Sequence, residues 1–135
     1  MRVVNPFLVA AVFEPFLFIE QEEIDSITKI DPENEGEIRD CIRRLLVPYF
    51  LAFDEKSKLA IRDSLSFMLI KGSDKWDALL AMNQCPLVLP NAPQQFFVWL
   101  WDELFHEGVH LDGSDSEYVV KEDIHAPNLI RRGKQ

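Results

Sequence analysis

The chain has 135 residues and a formal net charge of −9 at pH 7. This length suits a single domain, residues 1–135, and the 47% hydrophobic content excludes global disorder. No apolar run approaches the ~20 residues that cross a bilayer. The negative charge argues against nucleic acid and anionic membranes as partners, because both are bound through Lys and Arg.

The first thirty residues contain helix signals interrupted by a proline. Asn5 and Pro6 supply an N-cap followed by proline at the first helical position. The apolar residues after them predict a core helix rather than a secretory signal, and with it a cytoplasmic address. Pro15 lacks a backbone donor, so we expect this helix to break or kink there and a second helix to run toward Lys29.

The next segment predicts a longer helix with an irregularity. Asp31 and Pro32 form another cap-plus-proline start, and apolar residues at spacings of three and four follow as far as Phe53. Pro48 lies inside this run. We therefore expect a kink or a break near residues 44–47.

Two more helices are predicted before a stretch that is rich in proline. Asp54 is expected to cap the first of them and Gly72 to end it. Ser73 is expected to cap a short helix that carries Trp76. Residues 85–90 are bounded by prolines and are expected to cross the core in an extended form.

The last strong helix should begin with Asn91 as its cap and can end at Gly108. Residues 117–120 are ambiguous between helix and strand, and residues 126–135 are expected to form a loose tail. No convincing pair of alternating strands is present. The sequence therefore predicts an all-α fold, a single compact domain of five to seven short packed helices.

The acidic residues fall in two blocks. Between Glu14 and Asp40 there are ten acidic residues and two basic ones, and between Asp102 and Asp123 there are eight acidic residues and one Lys. Such a surface would attract a basic protein and speed the encounter, although acidic faces also serve solubility alone. The partner-binding candidates are the acids of these blocks: Glu20, Glu22, Glu23, Asp25, Glu33, Glu35, Glu37, Asp102, Glu103, Asp112, Asp115 and Glu117.

Four aromatic residues crowd the helix expected after Asn91, namely Phe96, Phe97, Trp99 and Trp101. They cannot all face one way. The helix is therefore either a central core helix or one that presents part of itself to a partner. In the second case, Asp102 and Glu103 would complete a mixed acidic and aromatic face.

One motif raises an alternative function. His106-Glu107-Gly108-Val109-His110 fits HExxH and resembles the zinc site of zincin metalloproteases over five residues. On a continuous helix, His106 and His110 would be ligands and Glu107 the general base. The alternative hypothesis is therefore a small zinc metallohydrolase, while the other interpretation is two exposed His residues at a helix C-terminus.

The combined character is small, acidic and helical, without a persuasive catalytic set, and no cofactor is expected. In this respect the chain resembles the immunity proteins of bacterial polymorphic-toxin and contact-dependent inhibition systems. The resemblance implies a non-catalytic protein that binds and neutralises one cognate basic toxin, such as a nuclease, in the cytoplasm. It transfers no functional residues, because these families are highly divergent.

Overall fold

The computed structural model describes residues 2–108 and 118–130, and this part of the chain is mostly helical, as the sequence predicts. None of the described helices is long and apolar enough to cross a membrane. The six α-helices in the described ranges are α1 (Gln21–Thr28), α2 (Glu35–Cys41), α3 (Val47–Leu51), α4 (Glu55–Lys71), α5 (Trp76–Ala81) and α6 (Pro93–Phe105). They are joined by an N-terminal 3₁₀ helix (Pro6–Leu17), a π-helical segment (Ile42–Leu46), a C-terminal 3₁₀ helix (Ala126–Leu129) and strands β1 (Arg2–Val4) and β2 (Tyr118–Val120).

The N-terminal 3₁₀ helix lies at the centre of the core. The Asn5 side chain accepts a hydrogen bond from the Phe7 amide, which confirms the predicted cap. The five residues 9–13 have no solvent exposure. The helix is twelve residues long, whereas 3₁₀ helices are commonly three or four. Such complete burial confirms that this segment is a core helix.

Pro15 does not break this helix, which runs on to Leu17, and α1 begins only at Gln21. The expectation of a second helix starting at Pro15 is therefore wrong. Phe13 and Phe16, on either side of the proline, are both buried in the core. Their burial outweighs the single hydrogen bond that Pro15 cannot donate.

The second predicted helix starts later than expected. Asn34 caps α2, its side chain accepting from the Glu37 amide at 3.1 Å. Asp31 instead forms a turn in which its carboxylate accepts from the Glu33 amide. The irregularity that Pro48 predicts is confirmed, because a π-helical segment separates α2 from α3. Pro48 has no amide to complete the α-helical ladder, and the chain widens there.

The boundaries of α5 and α6 agree with the predictions only in part. Ser73 does accept a hydrogen bond from the Lys75 amide just before α5, and residues 85–90 are not helical. Ala92 rather than Asn91 is the N-cap residue of α6, since Pro93 already fixes the first helical position. The helix ends at Phe105, before Gly108.

A parallel pairing of β1 with β2 is the main feature that the sequence did not predict. Its register pairs Arg2 with Tyr118 and Val4 with Val120. Strands of three residues are too short for an alternating pattern to stand out.

The predicted loose tail is wrong for residues 126–130. The C-terminal 3₁₀ helix packs on the N-terminal one, and Ala126 is buried. Ile130 also packs against the core. Residues 131–135 lie outside the described ranges.

The cap of α4 offers a local test of the fold. Asp54 accepts a hydrogen bond from the Ser57 amide at 2.8 Å, as predicted. We expect Asp54→Ala to lower the free energy of unfolding by about 1 kcal/mol, because one helix donor loses its partner. The control is Asp74→Ala, at an exposed carboxylate that caps no helix, which should change the free energy of unfolding by less than about 0.5 kcal/mol. Urea denaturation of both variants decides, and equal effects would contradict the capping role.

Candidate partner-binding surface

An open groove of about 840 Å³ separates α1 from α2 and is lined mainly by charged residues. Four carboxylates and two basic residues line it, together with Ser26, Ile30 and Gly36. We call this feature the acidic groove. Its charged residues are Glu22, Asp25, Lys29, Glu37, Asp40 and Arg44.

The acids of the groove occupy these positions partly for local reasons. Glu22 lies in the first turn of α1, and Glu37 lies in the first turn of α2. Negative charge is favourable there because the helix N-terminus carries a partial positive charge. The two short helices therefore gain stability from carboxylates that they also direct to the surface.

Three predicted acids of the first acidic block, two of which line the groove, are not neutralised by the protein. Glu20, Glu22 and Glu37 are exposed and form no ion pair with any residue of the described chain. Asp25, also exposed, accepts only the Gln21 side-chain amide at 2.8 Å. A basic partner would therefore meet carboxylates that have no internal cation to displace.

Other predicted acids already have protein partners. Glu23 pairs with Arg44 at 2.9 Å, and Arg44 also contacts Asp40 at 3.4 Å, which ties α1 to the segment after α2. Glu35 pairs with Arg39 at 3.1 Å. These pairs are solvent-exposed and stabilise the fold only weakly.

Two of the remaining candidates also make specific contacts. The carboxylate of Glu33 accepts from the Asn91 amide at 2.8 Å, which joins the loop before α2 to the start of α6. Asp102 lies 3.7 Å from Arg39, and its side chain is 44% exposed. Both remain on the surface, outside the acidic groove.

Glu103 is not a surface acid, and its assignment as a partner-binding residue is corrected by its burial. Only 5% of it is exposed, and its two oxygens accept from Arg39 Nε at 2.8 Å and Arg43 Nε at 2.9 Å. The hydrogen bond from Arg43, supplemented by that from Arg39, lowers the pKa of Glu103 against the effect of burial. This carboxylate joins α6 to α2 and to the π-helical segment.

The aromatic residues of α6 belong to the core. Trp101, Phe96 and Phe97 have no exposure, and Trp99 is 6% exposed. Of the two interpretations, the central core helix is therefore the one observed. The mixed acidic and aromatic face is not formed, because the aromatic rings and Glu103 all point inward.

The described part of the HExxH motif, residues 106–108, does not form the continuous helix that a zinc site of this kind requires. Because α6 ends at Phe105 and His106 has a left-handed φ of 55°, the motif does not begin on a continuous helix. Glu107 accepts from Arg62 Nε at 2.9 Å, and its carbonyl accepts from Trp101 Nε1 at 2.6 Å. Glu107 thus fixes the chain after α6 to α4 and α6. No group of metal-ligating side chains occurs in residues 2–108 and 118–130.

Four of the residues singled out by the sequence fall outside the described ranges. They are His110, Asp112, Asp115 and Glu117. The second acidic block is therefore represented here mainly by Asp102, Glu103 and Glu107 at one end and by Glu122 and Asp123 at the other.

Comparison with known proteins identified no relative of this chain. Scans against protein-family models, curated proteins and solved structures returned no match to the chain. The resemblance to immunity proteins therefore rests on sequence character alone and stays a prediction.

Proposed function

We propose that this chain is a non-catalytic binding protein for a basic protein and that the acidic groove is its contact surface. The observation that carries the proposal is the set of carboxylates in the groove that make no internal ion pair, Glu22, Asp25 and Glu37. Their charge is available to a partner, whereas most other surface acids are already paired. Electrostatic attraction of this kind raises association rates strongly.

The finer form of the proposal is an immunity protein that acts in the cytoplasm. Its partner would be a cognate basic toxin, such as a nuclease, whose cationic active-site surface would lie against the groove. A row of exposed carboxylates can take the place of nucleic-acid phosphates in such a surface. Nucleic acid itself is not proposed as a partner, because like charges would repel it.

The first experiment identifies the partner. A tagged full-length chain is used for a pull-down from its native host. We expect one basic protein in one-to-one ratio, which would be expressed and purified for kinetics. Recovery of only acidic proteins, or of nucleic acid, would contradict the proposal.

Charge reversal in the groove should then slow association. We expect Glu22→Lys, Asp25→Lys and Glu37→Lys together to lower the association rate by about 10–100-fold at low salt, with a smaller effect at high salt. The loss follows from the reversed field at the surface that the partner approaches. Stopped-flow mixing at several salt concentrations measures the rate.

A matched control separates the groove from net charge. Glu55→Lys, Asp74→Lys and Asp77→Lys change the total charge equally at exposed sites outside the groove. Glu55 and Asp77 also lie in first helical turns, so the cost to helix dipoles is similar. If this control slows association as much as the groove variant does, the groove is not the contact surface. Circular dichroism of both variants checks folding.

A further inference from the structure

A small pocket of about 230 Å³ lies between the N-terminal 3₁₀ helix, the end of α5 and the C-terminal 3₁₀ helix. It shares no residue with the acidic groove. We call it the Asn83 pocket. The lining residues that matter for its chemistry are Glu14, Leu17, Met82, Asn83 and Ile124.

Asn83 presents an unused acceptor to this pocket. The residue is only 8% exposed, and its Nδ2 donates to the Ala10 carbonyl at 2.6 Å. A carbonyl can only accept, so this contact fixes which end of the amide is nitrogen. No donor in the described chain reaches Asn83 Oδ1, and every fully enclosed side-chain oxygen there has a partner. The Oδ1 atom is therefore open to the pocket that Asn83 lines.

Glu14 supplies a second acceptor and a negative charge. Its half-buried carboxylate accepts a hydrogen bond from the Tyr49 hydroxyl, which holds it in place. No basic side chain of the described residues lines the pocket. The site therefore combines a carboxylate with an amide oxygen, and both atoms accept from donors.

The rim of the pocket is aliphatic and exposed. Leu17 is 46% exposed, Met82 38% and Ile124 55%. The 3₁₀ helix places Leu17 on the same side as Glu14, because residues three apart eclipse one another in this geometry. An apolar rim around a polar base suits a long side chain with an aliphatic stem and a charged end.

We propose that the Asn83 pocket binds an alkylammonium or guanidinium group at the end of an aliphatic chain, as in a lysine or arginine side chain. The cation donates to Asn83 Oδ1 and to the Glu14 carboxylate, while its stem contacts Leu17, Met82 and Ile124. A site with two acceptors and no lining cation repels anions. A neutral apolar chain would bind weakly, because it has no donor for the two oxygens. The proposal stands independently of the acidic groove.

The test is an NMR titration of the full-length ¹⁵N-labelled chain. The probes are Nα-acetyl-L-lysine methylamide, n-butylammonium and the uncharged analogue Nα-acetyl-L-norleucine methylamide. We expect saturable shifts of the Asn83 side-chain amide at roughly millimolar concentrations of the charged probes, as suits a single small contact. Absence of saturation with both charged probes, or equal binding of norleucine, overturns the proposal.

Variants of the site supply the second arm. Glu14→Gln should weaken binding of the lysine probe about 10-fold, because a charge-assisted hydrogen bond is lost. Asp77→Asn, at an exposed acid outside both the pocket and the acidic groove, should leave the affinity for the lysine probe unchanged. Ile124→Ser, at the exposed rim, should weaken binding of the lysine probe without disturbing the hydrogen bond between Tyr49 and Glu14. An unchanged affinity in both pocket variants overturns the assignment of the site.

The probes also distinguish the source of the cation. Similar affinities for the lysine derivative and n-butylammonium support a site for the cationic group from any source, including free amines. A preference of about 10-fold for the lysine derivative supports a side chain carried by a protein.

Discussion

Phe13→Ala should lower the free energy of unfolding by about 3–5 kcal/mol, among the largest effects of a single substitution in this chain. Phe13 has no solvent exposure and lies at the middle of the N-terminal 3₁₀ helix. Its ring centroid is 6.1 Å from those of Phe96 and Phe97 and 6.5 Å from that of Phe16. Truncation would leave a cavity among aromatic rings that cannot collapse to fill it. Guanidinium denaturation measures the loss.

A matched substitution controls for the loss of a phenyl group as such. Phe18→Ala makes the same chemical change at a side chain that is 78% exposed, and it should cost less than about 0.5 kcal/mol. Because many domains have only about 5–15 kcal/mol of stability, Phe13→Leu provides a milder second variant that keeps most of the volume. Equal effects of Phe13→Ala and Phe18→Ala would contradict the central position of the helix.

Glu103→Gln should lower the free energy of unfolding by about 2–3 kcal/mol at neutral pH. The buried carboxylate accepts hydrogen bonds from two arginines, and its replacement by an amide removes the negative charge that strengthens these contacts. Glu35→Gln is the control, since this exposed acid pairs with the same Arg39. Its effect should stay below about 0.5 kcal/mol. Thermal and urea unfolding of both variants decide.

The pH dependence of the Glu103 contribution follows from its lowered pKa, caused first by the hydrogen bond from Arg43. An unfolded Glu ionises near pH 4.3, so the ion pairs contribute fully above that pH. The contribution is lost as the pH falls through the lower pKa of the folded state. The stability difference between wild type and Glu103→Gln should therefore shrink below about pH 4. A difference that stays constant from pH 7 to pH 3 would contradict the assignment.

Helix-forming signals that act within a few residues were predicted well from the sequence. Asn5 and Asp54 cap the helices that follow them, and Pro48 marks the irregular turn before α3. Each of these signals works through the backbone groups of its immediate neighbours. The prediction at Pro15 is wrong because the packing of the neighbouring residues keeps the helix intact. The prediction at Asn91 is wrong because Pro93 sets the first helical position and makes Ala92 the N-cap residue.

Features that depend on distant residues could not be predicted. As an acid of the second block, Glu103 is predicted to lie on the surface, yet its carboxylate is buried and pairs with Arg39 and Arg43, sixty or more residues earlier. The sequence contains only part of this information. Two arginines four residues apart lie on one helical face and can share an acidic partner, but their spacing does not identify Glu103 as that partner. The pairing of β1 with β2 likewise joins segments more than a hundred residues apart.

Part of the candidate site was visible in the sequence. The concentration of acids between Glu14 and Asp40 predicts an acidic surface, and Glu22, Asp25 and Glu37 provide it at the groove. Composition could not separate these acids from Glu23 and Glu35, which are paired. The sequence does not single out Asn83 as a site residue, because its contact with Ala10 spans seventy-three residues.

The position of the N-terminal 3₁₀ helix has a consequence for biosynthesis. Residues 6–17 are synthesised before the segments that pack on them, which include α6 and the C-terminal 3₁₀ helix Ala126–Leu129. The apolar surface of residues 6–17 is therefore not fully buried until the C-terminal 3₁₀ helix has been synthesised. Contacts between residues so far apart in sequence slow folding, and an apolar segment left exposed promotes aggregation. We therefore expect stalled nascent chains that contain residues 6–17 but lack α6 to bind a chaperone that recognises apolar segments, and to bind it more strongly than the finished protein does.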